Sequence, residues 1–277
     1  MVFCFYKHHT RNIMKREEIQ KIELNILRDI DLFCHKHKIK YSLAFGTMLG
    51  AARHKGFIPW DDDIDIVMMR NEYEKFIVCA QKYQEEFQKN HIVKNVHDEN
   101  YFYPFIKVIN KKTIVNEEGI NEKFPIGIWV DIFALDYCDT EEFNSRRIIE
   151  YRKKQSTRLL RYIAKDKYYF KALARKCYLF FLDKVFRLSW RNIKNELQTA
   201  PFSGDKKYVS VFIWITCSSG IYPAEYCEEY DVIMFENHEF SIFKEYDKIL
   251  TATYGDYMEL PPVEKRVSHG LDAKYIE

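Results

Sequence analysis

The chain has 277 residues, of which 47% are hydrophobic and 30% are charged. This composition is typical of a folded globular protein and excludes wholesale disorder. Seven cysteines without a C-x-x-C spacing argue against a disulfide framework and a thiolate zinc site, and they favour a reducing compartment. No apolar run approaches the roughly 20 residues of a spanning helix, and the N-terminus lacks a signal-peptide core. We therefore expect a cytoplasmic protein.

Charge divides the chain into an acidic part and a basic part. The net charge is only +2, yet residues 151–197 hold 14 Lys and Arg against three acids. Residues 1–13 precede Met14, which is followed by Lys15 and resembles a natural start. We expect residues 1–13 to be a disordered extension and 14–277 to form one domain, with 141–200 as a basic helical subregion.

The predicted elements alternate between helices and strands along the chain. Apolar residues recur every three or four positions from Glu17 to Cys34, which predicts an amphipathic helix. Short aliphatic and aromatic runs predict strands at residues 41–45, 63–69, 101–109, 113–115, 126–133 and 208–216. Further helices are predicted at residues 48–53, 72–88, most of 141–197 and near the C-terminus. This order predicts an α+β fold, with a mixed β-sheet flanked by helices and a helical basic appendage.

Acidic residues in two predicted strands are the first candidates for chemistry. Asp63 and Asp65 alternate with aliphatic residues, so both side chains would point to the same face of a strand. Such a pair repels unless a cation neutralises it, and Mg²⁺ prefers carboxylate, water and phosphate oxygens. Asp131 is a lone acid within an apolar strand. If the two strands are neighbours, Asp131 could complete the metal site or act as a base for an acceptor hydroxyl.

Several residues outside the acids are candidates for binding phosphate. Gly46 and Thr47 follow a predicted strand directly, where a glycine permits close approach of the backbone to phosphate. Arg53 and His54 add a cation and a donor near the same loop. Purely structural roles are equally open for each of these side chains, because a turn histidine or a solvated arginine needs no ligand.

The segment 44–66, from Ala44 through Asp61-Asp62-Asp63-Ile64-Asp65 to Ile66, closely resembles the LicD family. This family includes bacterial phosphocholine transferases and is related to fukutin and fukutin-related protein. The resemblance continues in residues 127–136 and in 254–262, followed by Glu264-Lys265-Arg266 and Ser268-His269. It spans roughly residues 17–270, with the basic middle least similar.

The resemblance implies a nucleotidyltransferase-type core and Mg²⁺-dependent (or Mn²⁺-dependent) phosphotransfer. A phospho-substituent, either phosphocholine or a related alditol or sugar phosphate, would pass from a CDP-activated donor to a sugar hydroxyl. The acceptor would be a cell-surface glycan such as lipopolysaccharide, teichoic acid or capsule, or a lipid-linked precursor. Asp63, Asp65 and Asp131 would then carry catalysis and hold the metal. Lys107 and Arg266 join Arg53 as candidates for the donor phosphates, with an exposed strand lysine as the alternative for Lys107.

The basic middle of the chain combines its positive charge with many aromatic residues. Basic helices with aromatics bind anionic membrane surfaces, which would place the protein peripherally at the inner face of the membrane. Anionic polymers such as teichoic acid would be attracted equally, and so would nucleic acid, although we expect no nucleic-acid partner. We favour the plainer interpretation, in which the aromatics pack into the core and the lysines are solvated.

Two other classes of function stay open. A nucleotidyltransferase would transfer NMP itself to a small acceptor, and a non-catalytic nucleotide-binding scaffold would keep the fold alone. A D-x-D glycosyltransferase is a further alternative, but the upstream Gly-Thr turn is not typical of it. The presence of all three acids argues against the scaffold, and the long flanking resemblance to the LicD family favours the phosphotransferase over the nucleotidyltransferase.

Overall fold

The computed structural model describes residues 14–87, 90–95, 97–99, 101–116, 120–121, 125–138, 142–200, 207–213, 220–266 and 271–276. For residues 142–147 and 149 it describes the backbone only. The predicted extension 1–13 and the late residues Ser268 and His269 lie outside this part of the chain.

The described residues form seven α-helices and eleven strands. The helices are α1 (Arg16–His37), α2 (Phe45–His54), α3 (Arg70–Lys82), α4 (Glu142–Ile163), α5 (Tyr169–Lys184), α6 (Trp190–Gln198) and α7 (Tyr246–Tyr254). The strands are β1 (Ser42–Leu43), β2 (Asp65–Met69), β3 (His91–Lys94), β4 (Ile106–Asn110), β5 (Thr113–Asn116), β6 (Trp129–Cys138), β7 (Tyr208–Ser210), β8 (Tyr222–Pro223), β9 (Tyr230–Phe235), β10 (His238–Phe243) and β11 (Asp272–Tyr275). The predicted α+β class is confirmed.

The main sheet is mixed and has the strand order β1-β2-β6-β4-β3. Strand β7 pairs with the C-terminal part of β6, and β8 pairs with β7. Strands β2 and β6 are parallel, whereas the other neighbours in this sheet are antiparallel. A parallel pair needs a long crossover connection, and here α3 and strands β3 to β5 occupy it. Two smaller antiparallel pairs, β9 with β10 and β5 with β11, complete the strands.

Helix α1 covers the sheet through the apolar face that its sequence predicts. It begins where the Glu18 side chain accepts a hydrogen bond from the Lys15 amide (2.8 Å), and it ends at Lys38, which is left-handed (φ 52°). Its buried face consists of Ile19, Ile22, Glu23, Ile26, Leu27, Ile30, Phe33 and Cys34. The helix contacts β4 and β6, so one acid, Glu23, is carried into the core beside the sheet.

An ion pair links the ends of the two parallel strands. Arg70, directly after β2, donates to Asp136 of β6 through Nε (2.7 Å) and Nη2 (2.6 Å). The Asp136 carboxylate is almost fully buried. A bidentate contact of this kind is geometrically specific, and it therefore supports the register in which Asp65 lies opposite Asp131.

The basic middle forms helices as predicted, but its aromatics do not all pack inward. Helices α4 and α6 contact each other, and Ile193 and Leu197 of α6 are buried. Helix α5 is different, because Leu182 is its one fully buried side chain. Its aromatic side chains are exposed, namely Tyr169, Phe170, Tyr178, Phe180 and Phe181. The expectation that these aromatics join the core is wrong for α5.

The bounds of several elements differ from the predicted ones. The helix after the first strand begins already at Phe45 and includes Gly46 and Thr47. Strand β2 begins at Asp65, so Asp63 lies just before it. The predicted C-terminal helix is α7, and it ends at Gly255, which has a positive φ of 70°. None of the described helices combines the length and apolar content that crossing a bilayer requires.

Candidate functional site

The parallel register of β2 and β6 brings two predicted acids side by side. Asp65 is the register partner of Asp131, which meets the condition that the two strands are neighbours. Asp63 precedes Asp65 by two residues, and burial alternates along this segment. The partly exposed residues are Asp61, Asp63 and Asp65, whereas Asp62 and Ile64 are buried. Three acids of one segment therefore share a face with Asp131 beside them.

Asp131 is held by two donors from the same sheet. The Lys107 ammonium lies 2.7 Å from its Oδ1, and the Trp129 indole donates to its Oδ2 at 3.1 Å. Lys107 is the antiparallel register partner of Asp131. Its side chain is buried against three rings, those of Tyr103, Phe105 and Trp129, with 4.0 Å to the Trp129 ring centre. The interpretation of Lys107 as an exposed strand lysine is wrong.

The acidic cluster carries more negative charge than the Lys107 ammonium balances. Burial raises the pKa of Asp65 well above its usual value, and the carboxylates of Asp63 and Asp131 raise it further. Burial also raises the pKa of Asp131, although Lys107 acts in the opposite direction. One lysine therefore offsets only part of the repulsion, and an added cation would lower the free energy of the ionised cluster.

Gly46 and Thr47 support the acids through local contacts. Thr47 Oγ1 accepts a hydrogen bond from the Asp65 amide (2.9 Å), which fixes the start of β2 against α2. At Gly46, a Cβ atom would lie 2.7 Å from Oδ2 of Asp61. The glycine is thus needed for the close approach of Asp61 to the first turn of α2. Phe45 adopts a left-handed conformation (φ 45°) just before it, a costly geometry for a non-glycine residue that marks this turn as constrained.

Arg53 and His54, at the end of α2, contact the C-terminal region. Arg53 Nη1 donates to the carbonyls of Tyr257 (2.8 Å) and Glu259 (3.2 Å), and its Nε donates to His54 Nε2 (3.0 Å). Burial lowers the pKa of His54, and the charge of Arg53 lowers it further. His54 is therefore held neutral, as an acceptor for Arg53. The late segment 254–262 is anchored here by an arginine.

Arg266 joins the same region from the other side. Its guanidinium stacks over the Trp60 ring (5.0 Å to the centre), and its Nε donates to the Pro261 carbonyl (2.9 Å). The pKa of Arg53 is lowered by burial and by the charge of Arg266, so the two cations are near each other. Trp60 directly precedes Asp61. The candidate phosphate ligands thus form a basic cluster, composed of Arg53, His54 and Arg266, next to the acidic segment.

Glu23 is a member of the site that the sequence interpretation missed. It is buried in α1, and its Oε2 has no hydrogen-bond partner. Burial raises the pKa of Glu23 well above its usual value, and the charges of Asp63, Asp62, Asp61 and Asp65 raise it further. One turn earlier, Gln20 donates to the Asp61 carbonyl (2.8 Å). The signal was present, because an acid on the apolar face of a helix is costly unless the site uses it.

The donor set fits a hard divalent cation. Carboxylate oxygens are what Mg²⁺ prefers, and the acids repel one another as described above. Among the residues that the structure describes, no three His, Cys, Asp or Glu side chains lie in an arrangement that could hold a metal ion. The Lys107 ammonium instead balances Asp131. The assignment of a metal to Asp63, Asp65 and Asp131 stays a prediction that this chemistry supports.

Comparison with known proteins identifies close relatives. Residues 38–154 match the family model described as LicD/FKTN/FKRP, nucleotidyltransferase domain. Over 266 residues the chain is 30% identical to the lipopolysaccharide cholinephosphotransferase LicD of Haemophilus influenzae, which covers 94% of this chain and 97% of that protein.

Two further relatives match a short segment. Uncharacterised proteins of Rickettsia prowazekii and Rickettsia typhi are each 45% identical over 47 residues, which is 17% of this chain and 18% and 15% of theirs. These short matches to uncharacterised proteins give no information about function, whereas the Haemophilus relative aligns over nearly the whole length of both chains. The chain therefore belongs to the LicD family.

Proposed function

We propose that this protein transfers phosphocholine, or a related alditol or sugar phosphate, from a CDP-activated donor to a hydroxyl of a cell-surface glycan or its lipid-linked precursor. The observation that carries the proposal is the alignment with a lipopolysaccharide cholinephosphotransferase, which is 30% identical over nearly the full length of both chains. The paired acids of β2 and β6 support the same chemistry, because phosphoryl transfer depends on positioning and charge neutralisation.

The reaction balances without a further reactant. An acceptor hydroxyl oxygen forms a bond to the phosphorus that carries the choline, and the bond from that phosphorus to the bridging oxygen of the diphosphate breaks. The products are CMP, the phosphocholine-substituted glycan and the proton released by the hydroxyl. A carboxylate near the hydroxyl is needed to receive this proton. Asp131 is the candidate, since Lys107 and Trp129 orient both of its oxygens.

Mg²⁺ or Mn²⁺ bound by Asp63 and Asp65 would neutralise the donor diphosphate and the departing CMP, and Asp131 would complete the metal site where it does not act as the base. Neighbouring residues of the chain hold these acids in place. Thr47 holds the Asp65 backbone, and Asp131 is fixed by its two donors. The Asp65 backbone and the Asp131 carboxylate are consequently held in place before substrate arrives, which reduces the cost of reorganisation during reaction.

The basic cluster of Arg53, His54 and Arg266 is the proposed site for the remaining phosphate charge. Arg53 and Arg266 carry permanent positive charge next to the acidic segment, and Arg53 also anchors the late segment through two carbonyls. Gly46 lies at the first turn of α2, and the N-terminus of a helix favours anions. The basic cluster and the first turn of α2 would accept the phosphates, within a core of the nucleotidyltransferase type.

A donor panel tests this function directly. The full chain is incubated with a lipopolysaccharide or teichoic acid acceptor, Mg²⁺ or Mn²⁺, and one donor chosen from CDP-choline, CDP-ribitol, CDP-glycerol and a UDP-sugar. We expect CMP release together with transfer of the phospho-substituent for one CDP donor. Asp65→Asn should abolish this turnover, while Asp256→Asn, an exposed acid in the late segment, should retain it.

Each alternative function predicts a different product. A nucleotidyltransferase attaches NMP to a small acceptor and leaves the choline phosphate off the glycan. A glycosyltransferase releases a nucleoside diphosphate from the UDP-sugar, and a non-catalytic scaffold binds a nucleotide without turnover. Undiminished turnover in Asp65→Asn would refute the assignment of the acids.

A further inference from the structure

Helix α5 presents an apolar stripe to solvent on the side opposite its packed face. The packed face contains Ala172, Arg175, Leu179 and Leu182. The opposite side carries apolar residues at helical spacing, namely Phe170, Leu173, Ala174, Cys177 and Phe181. Phe170 is 81% exposed, Phe181 59% and Leu173 46%. The stripe continues into Val185 and Phe186 after the helix, both more than half exposed.

The helix is held in this orientation by contacts to α4 and to the turn that follows it. Arg175 Nε lies 2.6 Å from Asp166 Oδ2, and Arg175 Nη1 donates to the Arg161 carbonyl (2.6 Å). The Arg161 guanidinium stacks on Tyr178 (5.0 Å to the ring centre). Polar and aromatic contacts therefore fix one side of α5, and the phenylalanine side is directed away from α4.

Basic side chains flank the apolar stripe. Lys171 and Lys176 are exposed on opposite flanks, and Lys184 lies within the stripe at its C-terminal end. Between residues 165 and 191 the chain has eight Lys and Arg and two Asp, and one of those aspartates, Asp166, is already paired with Arg175. This charge attracts an anionic surface. It also opposes the packing of α5 against α5 of a second copy, which would bring the same positive charge together.

We propose that α5 docks the protein on an anionic lipid bilayer, with Phe170, Leu173 and Phe181 inserted at the headgroup level. Lys171 and Lys176 would contact the lipid phosphates from either side. A positive helix with one apolar face is the arrangement that binds such surfaces. Tyr168 and Tyr169, both exposed at the start of the helix, suit the boundary between water and acyl chains.

Helix α6, which follows α5 in the chain, contacts the loop that leads into β4. Lys194 of α6 donates to the carbonyls of Tyr101 (2.8 Å) and Asp98 (3.2 Å), in the loop that leads into β4 and Lys107. Docking deepens the proposed function where the acceptor is lipid-linked, but the helix geometry supports it independently of any transfer.

Vesicle binding by the full chain tests the proposal. Binding is measured by flotation with vesicles of phosphatidylcholine alone and of phosphatidylcholine mixed with phosphatidylglycerol. We expect binding to the anionic vesicles only, and weaker binding as salt rises. The apolar variant Phe170→Ser with Phe181→Ser, and the charge variant Lys171→Glu with Lys176→Glu, should each bind at least about tenfold more weakly.

Matched controls change the same residue types elsewhere. Leu32→Ser with Val78→Ser alters two exposed apolar residues of α1 and α3, and Lys21→Glu with Lys112→Glu alters two exposed lysines. Both should bind like the unchanged chain. Failure of the unchanged chain to float at low salt overturns the proposal, and so does equal weakening by the controls. If the charge variant alone loses binding, the face binds polyanions without insertion, and the proposal is also wrong.

Two more measurements separate docking from self-association and from catalysis. A dimer that disappears in the apolar variant, detected by light scattering, would assign the face to a second copy and overturn the proposal. CMP release on a water-soluble acceptor should be the same in the apolar variant and the unchanged chain. Loss of vesicle binding with retained CMP release supports docking. Vesicle binding without any CMP release refutes the proposed function and leaves the docking intact.

Discussion

The ammonium of Lys107 lies 2.7 Å from Oδ1 of Asp131 in the middle of the main sheet, with both residues at paired register positions. The contact joins a buried cation to an acid that otherwise faces Asp65 across the parallel pair. Three rings surround the ammonium and exclude water from it. Lys107 is thus the internal counter-charge of the acidic site, and it also orients Asp131.

Replacing Lys107 with methionine should strongly destabilise the protein. A buried carboxylate that loses its partner typically costs about 3–5 kcal/mol in the free energy of unfolding. The pKa of Asp131, already raised by burial, would rise further. Since the unfolded chain ionises near the ordinary value of 3.8, the loss should be small in acid and should grow as pH increases. Urea unfolding at several pH values measures it.

The control for this change is the double variant Lys107→Met with Asp131→Asn. It removes both charges and should recover more than half of the lost stability. Lys153→Met, at an exposed position of α4, should be neutral. A Lys107→Met variant as stable as the unchanged chain at neutral pH would contradict the assigned role.

The pair of Arg70 and Asp136 should be structural and should leave the chemistry unchanged. Asp136→Asn weakens a buried bidentate contact and is expected to lower the free energy of unfolding by roughly 3 kcal/mol. Both kcat and the KM for donor should remain unchanged at a temperature where the variant is folded. Asp131→Asn provides the comparison, because it should reduce kcat severely. A reduction of kcat in Asp136→Asn as large as that in Asp131→Asn would place Asp136 in the site.

The sequence predicted the parts of the site that depend on local pattern. Alternation of acids with aliphatic residues indicated that Asp63 and Asp65 share a face, and burial along the segment has this alternation. The partnership of Lys107 with Asp131 depends on the register between β4 and β6, which are separated by β5 and its loops. Such non-local pairing has no signature within either strand. From the sequence, Lys107 could therefore be interpreted only as a ligand for the donor phosphates or as a solvent-exposed strand lysine.

Glu23 and α5 show two other limits. Glu23 did carry a signal, but the apolar periodicity of α1 predicts a helix equally well with or without it. Helix α5 has apolar residues on opposite sides, around Leu182 and around Phe170. Its sequence therefore predicts a buried helix, whereas its single packed face is determined by the contacts of Arg175 with Arg161 of α4 and with Asp166 in the turn after α4. The side that remains exposed could be identified only from these tertiary contacts.

The acids should respond to Mn²⁺ in a way that does not require turnover. Burial and two neighbouring acids raise the pKa of Asp65, so Asp65→Asn should increase thermal stability in EDTA by relieving repulsion. The same variant should lose the stabilisation by Mn²⁺, which reaches about 2.7 kcal/mol for the unchanged chain at a hundredfold excess over Kd. Asp256→Asn should keep it. Equal stabilisation of the unchanged chain and Asp65→Asn by Mn²⁺ would exclude Asp65 as a ligand.

The buried carboxyl of Glu23 should make stability fall with pH. Burial first, and then the charges of Asp63 and Asp62, raise its pKa well above the ordinary 4.5. Above about pH 4.5 the unfolded chain releases this proton while the folded chain keeps it. The unfolded state then binds fewer protons, so this group lowers stability as pH rises towards the folded-state pKa, by at most about 1.4 kcal/mol per pH unit.

Glu23→Gln cannot ionise, and its stability advantage over the unchanged chain should therefore grow with pH in EDTA-containing buffer. Urea unfolding from pH 4.5 upward measures the difference, with the exposed Glu17→Gln as a control that should run parallel to the unchanged chain. Parallel curves for Glu23→Gln as well would show that Glu23 is ionised in the folded protein, and its carboxylate would then belong with the acids that need a cation.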